Sequence, residues 1–213
     1  MPSLYSRLLC VVTFAICAGF AVDSASAAET DPEGRLYQPS ADPLTDVRQA
    51  LGRAEDSDRL ALVVLGANWC HDSRALASRL YRPPLAEVIQ QDYELVFVDV
   101  GFYENGRDVV QEFGVANYYA TPTVLIIDPS NGQLLNDEDR HIWGNAYSID
   151  MSSSVRYFEK WAVSNPAAEP APDSAQLRQL YAEIDEFEQQ LADRVAAGYA
   201  VVGPMLAAYA AGD

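Results

Sequence analysis

The chain changes its apolar period several times, and each change marks an element. Leu44, Val47, Leu51 and Ala54 recur at threes and fours behind Asp42-Pro43, which predicts a helix opening at 43. Residues 60–65 (Leu-Ala-Leu-Val-Val-Leu) are apolar without interruption, the pattern of a central strand covered on both faces. Gly66-Ala67-Asn68 breaks that run, and a helix follows from Cys70 to about Leu80, with Leu76 and Leu80 on one side. Pro83-Pro84 ends this helix and starts the next, which carries Leu85, Val88 and Ile89. A second strand is predicted over 94–100, a turn over 101–106, a short helix over 108–113 and a third buried strand over 123–127. Asp128-Pro129-Ser130-Asn131-Gly132 is a hairpin-type turn into a short fourth strand over 133–135. A polar loop holding His141 and Trp143 leads to a helix over 149–163. Strands that alternate with helices in this way predict an α/β domain over 43–164, a mixed sheet with helices on both faces.

Three segments lie outside that pattern. Residues 28–42 are a polar, irregular lead-in, and residues 165–173 form a stiff proline-rich linker. A C-terminal helical extension occupies 174–213. Its helix is predicted over 174–197, with Leu177, Leu180, Ile184, Phe187, Leu191 and Val195 as an apolar stripe, followed by a tail broken at Gly203-Pro204. The stripe is expected to dock on the main domain. Self-association or a partner held by the helix are the alternatives.

Residues 1–27 have the form of a secretory signal: Arg7, an apolar stretch over 8–22, and the small-residue site Ala25-Ser26-Ala27. The stretch is short for a membrane span, which needs ~20 residues. A periplasmic or otherwise exported mature protein is therefore expected, with no span after cleavage. Cleavage would remove Cys10 and Cys17 and leave Cys70 as the sole cysteine of three. One thiol makes no internal disulfide, so it is either buried and inert or free and reactive. The chain of 213 residues carries 31 acidic against 14 basic residues, a formal charge of -17. Such a surface repels phosphate backbones and anionic lipid heads, which argues against nucleic acid or a membrane surface as a partner.

Cys70 falls where a buried strand gives way to a helix. Unpaired amides and the positive end of the helix dipole gather there and favour a thiolate. The surrounding run Leu62-Val63-Val64-Leu65-Gly66-Ala67-Asn68-Trp69-Cys70-His71-Asp72-Ser73-Arg74 resembles the active-site segment of the thioredoxin-like superfamily, where a central strand runs into Trp-Cys-x-x-Cys. Ala120-Thr121-Pro122-Thr123-Val124-Leu125-Ile126-Ile127 resembles that family's cis-proline loop and the strand after it. The likeness covers about 44–163 and is similar to exported bacterial thiol–disulfide proteins. It implies a thioredoxin-like fold, Cys70 as nucleophile, Trp69 as a wall of the substrate groove, and Thr121-Pro122 facing Cys70 as a substrate-binding loop.

Departures from the family pattern refine this. Ser73 stands in place of the resolving cysteine, giving Cys-x-x-Ser, and a hydroxyl cannot attack a mixed disulfide as a thiolate does. Val64 stands where the family usually carries a buried acid that serves that second cysteine. Arg74 replaces a common lysine. His71 can stabilise a thiolate beside it, whereas Asp72 adds negative charge. One thiol with one adjacent imidazole is a poor zinc set, so no metal or other cofactor is expected. His141 reads as a surface residue and Trp143 as packing. Three functions remain in view, one of them that of a structural or interaction protein that joins a complex through its C-terminal helix. Cys70 forms mixed disulfides with protein thiols, or with a small thiol such as glutathione, as a monothiol oxidoreductase or isomerase would. Otherwise the groove is a non-catalytic peptide-binding, chaperone or assembly module in which Cys70 is incidental.

Overall fold

A computed structural model describes residues 36–163 and 175–212. The expected signal segment, the first part of the lead-in and the linker lie outside the described residues.

Helix α1, Pro43–Asp56, begins as its sequence dictates. The Asp42 carboxylate accepts from the Thr45 amide at 3.0 Å and from its hydroxyl at 2.7 Å, with proline in the first turn. Strand β1, Leu60–Gly66, is buried at six of its seven positions. It alternates between two cores. Leu62 and Val64 point into one, with Tyr37, Leu76, Leu80, Leu85 and Phe158, while Ala61, Val63 and Leu65 point into the other, with Val47, Ala54, Val109 and Val110. Helices α2, His71–Leu80, α3, Leu85–Asp92, and α5, Met151–Val163, cover the first face. On the second face lie α1 and α4, Arg107–Glu112.

The sheet is mixed, in the order β2-β1-β3-β4. Strand β2, Tyr93–Asp99, runs parallel to β1, and β3, Thr123–Asp128, runs antiparallel on its other side. The edge strand β4 is only Gln133–Leu134. Beyond it the Asn136 side chain continues the ladder. Its Oδ1 accepts from the Ile126 amide at 2.8 Å, and its Nδ2 donates to the Val124 carbonyl at 2.9 Å. A buried amide thus does what another strand residue would have done. The expected polar loop holds a 3₁₀ segment, Ile142–Ser148, in which Trp143 is fully buried and stacks on Phe158.

Two features differ from the sequence expectation. The lead-in is irregular in backbone, yet Tyr37 within it is fully buried in the first core. The Asn68 side chain pins its backbone from both sides, accepting from Tyr37 N at 3.3 Å and donating to Tyr37 O at 2.6 Å. The C-terminal extension is not a helix with a broken tail. It is one helix, α6, Ala175–Ala211, that continues through Pro204. Pro204 is exposed, so water can satisfy the carbonyl its missing N–H leaves free. Nor does most of the apolar stripe dock, although Val195 is half-buried and the Leu177 side chain lies outside the described residues. Leu180, Ile184, Phe187 and Leu191 are exposed, Phe187 by 66%. The docked face is Ala192, Tyr199 and Gly203, with Asp193 paired to Arg107. Gly203 lies so close to the Phe102 carbonyl that a Cβ there would clash with it.

Two variants test this packing. Tyr37→Ala removes a full aromatic side chain from the core and should lower unfolding free energy by about 3–5 kcal/mol in urea denaturation. A loss below about 1 kcal/mol would place Tyr37 outside the cooperative unit. Gly203→Ala should lift α6, lowering the thermal midpoint and raising amide exchange over 192–207, with exchange in β1 unchanged.

Candidate active site

Three loops meet at one end of the sheet because of strand direction. The parallel pair brings the ends of β1 and β2 together, with Leu65 opposite Val98. The antiparallel pair brings the start of β3 to the same place, with Leu65 opposite Thr123. Loop 67–70, turn 100–106 and the Thr121-Pro122 loop therefore share a corner. Cys70 caps α2 from an extended conformation (φ -81, ψ 123), and its carbonyl accepts the first helical bond, from Arg74 N. The thiol is half-buried and donates to the Thr121 carbonyl at 3.2 Å. Thr121 and Pro122 are buried, and the peptide between them is cis. The Thr123 hydroxyl holds the loop by donating to Ala120 O at 2.8 Å. Trp69 donates from Nε1 to Gly101 O at 2.7 Å and stacks on Phe102, with ring centroids 6.0 Å apart.

The structure gives the residues after Cys70 distinct roles. His71 is exposed, with Nε2 3.0 Å from the Asp72 carboxylate and its ring against Tyr147. Asp72 is buried, and its other oxygen accepts from Tyr147 N at 2.8 Å. Its carboxylate therefore ties the start of α2 to the 3₁₀ segment. Ser73 is fully buried, and its hydroxyl has no hydrogen-bond partner among the described residues. Beneath it the Tyr37 phenol donates to Ser73 O at 3.2 Å. Burial pushes that phenol far above the ordinary tyrosine range, so it stays protonated. Val64 belongs to the same core as Tyr37. Arg74 lies across the loop, donating to Asn68 O at 2.6 Å. His141 is exposed at the start of the 3₁₀ segment.

An aromatic wall is the feature sequence reasoning missed. Tyr103 sits at positive φ (75°) in the turn after β2. Its ring meets Trp69 edge-on at 5.3 Å and lies flat against Tyr199 of α6 at 4.2 Å. Tyr118 stacks on both tyrosines and donates to Asn105 O at 2.7 Å. Burial raises all three phenols, Tyr199 to about 12, so the stack is uncharged across the ordinary pH range. The signal lay in the sequence as Phe102-Tyr103 in the turn and as a second spacing on α6: 192, 196, 199, 203. Asp99, at the end of β2, has its pKa raised by burial, against the opposing pull of the Gly101 amide at 3.1 Å.

Comparison with known proteins agrees with this geometry. Residues 42–129, which contain Cys70 and Pro122, match a family model described as thioredoxin-like. Among solved structures the chain is similar to a disulphide isomerase from Xylella fastidiosa Temecula1, at 26% identity and a TM-score of 0.52, over 59% of this chain and 95% of that one. No curated protein matches. Residues 42–129 thus form a thioredoxin-like segment, set in a thioredoxin-like fold.

The Asp72 tie gives a testable asymmetry. Asp72→Ala leaves the half-buried Tyr147 amide without this acceptor and should cost about 1–3 kcal/mol in urea denaturation. Asp72→Asn keeps an acceptor and should cost less than half as much. Equal losses would show that the carboxylate's charge, and not this hydrogen bond, is what matters.

Proposed function

We propose that the protein is an exported thiol–disulfide exchange protein that works through the single thiol of Cys70. The observation that carries this reading is the placement of a half-buried thiol at the head of α2, against the Thr121 carbonyl, with a buried serine in place of a second thiol. The helix N-terminus is the end where negative charge is best accommodated. The likeness to a disulphide isomerase supports the same reading.

The chemistry balances with one thiol. The Cys70 thiolate attacks one sulfur of a client disulfide. A Cys70–client bond forms, the client's S–S bond breaks, and the other client sulfur leaves as a thiolate. The client's own thiolate, or a small thiol such as glutathione, then attacks the mixed disulfide and releases Cys70. When the attacking thiolate is a client cysteine other than the one just released, the client's disulfides are rearranged with no net oxidation, which is isomerisation. Ser73 keeps this chain from resolving the bond itself, so the mixed disulfide persists until a thiol from outside arrives. Residues 1–27 support export, and mass spectrometry of the secreted protein should find a new N-terminus at about Ala28.

The test is to treat the protein with a peptide disulfide and map the products by mass spectrometry. Wild type should accumulate a mixed disulfide at Cys70, and Cys70→Ala should not. Ser73→Cys places a thiol one helical turn away. It should convert the adduct to an internal disulfide between Cys70 and the introduced thiol, shortening the adduct's life at least 10-fold. No adduct at Cys70, with peptide binding intact in Cys70→Ala, would favour the peptide-binding module instead.

A further inference from the structure

Docking of α6 does more than cover the turn after β2. It borders an open-sided cavity of about 450 Å³ between the helix and that turn. Phe102, Tyr103 and Tyr118 line one side, and Tyr199, Ala196 and Pro204 of α6 line the other. The size is that of a small-molecule or side-chain site. Two charged groups border it. Arg107 is paired with Asp193 through one guanidinium nitrogen while its buried Nε has no hydrogen-bond partner among the described residues, and Glu104 is exposed. Among the described residues no free cation in the lining awaits an anionic ligand, and the phenols stay neutral. An uncharged aromatic ring fits this chemistry, because stacked and edge-on partners already line the walls.

Its position links it to the thiol. Tyr103 forms a wall of the cavity, and the same ring meets Trp69, which directly precedes Cys70. The Thr121 carbonyl holds the Cys70 thiol. One side chain therefore separates the cavity from the reacting centre.

We propose that this cavity is a subsite for an aromatic side chain of the client polypeptide, flanking the cysteine that reacts with Cys70. The proposal rests on the thiol-exchange reading of Cys70. It makes α6 part of the site and Tyr199 a specificity-determining residue.

Binding and reaction are measured separately. N-acetyl-tyrosinamide and N-acetyl-phenylalaninamide are titrated into protein carrying 13C-labelled tyrosine, followed by NMR, with the leucine and lysine amides as comparisons. The aromatic amides should shift the Tyr103, Tyr118 and Tyr199 ring signals saturably, in wild type and in Cys70→Ala alike. Tyr199→Phe should retain binding. Tyr199→Ala should weaken it at least 10-fold, and Ala196→Phe, which fills the cavity while keeping the stack, should abolish it. No shift, equal shifts with the leucine amide, or stronger binding of the lysine amide would overturn the proposal. Two peptide disulfides are then compared, differing only in tyrosine or alanine three residues from cysteine. The tyrosine peptide should react at Cys70 about 10-fold faster, and Tyr199→Ala should erase that preference. A reactive Cys70 with no aromatic binding or preference would sink the subsite alone. An unreactive Cys70 with aromatic binding intact would sink the thiol reading and, with it, the assignment of the ring to a client.

Discussion

Everything at the candidate site follows from the alignment of Leu65 with Val98 on one side and Thr123 on the other. β1 is buried on both faces, so a one-residue slip would exchange the residues meant for one core with those meant for the other. The register is therefore locked by packing on two fronts. Because β2 is parallel and β3 antiparallel, the same end of the sheet receives the exit of β1, the exit of β2 and the entry of β3. The approach of the Cys70 thiol to the Thr121 carbonyl, and of Trp69 to Gly101, is a consequence of that register. No contact within the loops themselves would fix these distances as firmly.

Below that corner four neighbouring groups carry no charge. The Ser73 hydroxyl is buried, Tyr37 is held protonated, Gly66 has no side chain, and Val64 is apolar. A Cβ on Gly66 would run into both the Tyr37 phenol and the Ser73 hydroxyl, so glycine, tyrosine and serine form one mutually dependent packing unit. None of these groups could serve as a base for a second nucleophile. The Cys70 thiol lies on the outer side, where it meets the Thr121-Pro122 loop.

The sheet, the Cys70 helix and the proline loop were legible because their signals are local and strong: an unbroken apolar run, a glycine break, a proline before a β-branched strand. Asp72 shows what local pattern cannot give. Read as a charge beside a thiol, it opposes catalysis; in the fold, its carboxylate is an acceptor for the Tyr147 amide from 75 residues away. Tyr37 was hidden for the opposite reason. It sits in a segment with no period at all, and only the space beside Gly66 makes a lone aromatic there part of the core. The hairpin at 128–132 was visible, whereas the strand-like service of the Asn136 side chain was not, since side-chain mimicry of a ladder leaves no mark in composition.

Helix α6 carries the clearest lesson about reading amphipathicity. Its strongest apolar seam, Leu180 to Leu191, stays in solvent beside Glu183, Asp185, Glu186 and Glu188, while a weaker stripe of small residues makes the contact. The reason is distance. Large side chains would hold the helix axis away from the turn after β2, whereas Ala192 and Gly203 let the backbone close on it until Gly203 meets the Phe102 carbonyl. That approach is what brings Tyr199 to 4.2 Å from Tyr103, a spacing bulkier neighbours would forbid. Docking here is selected by how near the backbone can come, and apolar area alone does not report that quantity.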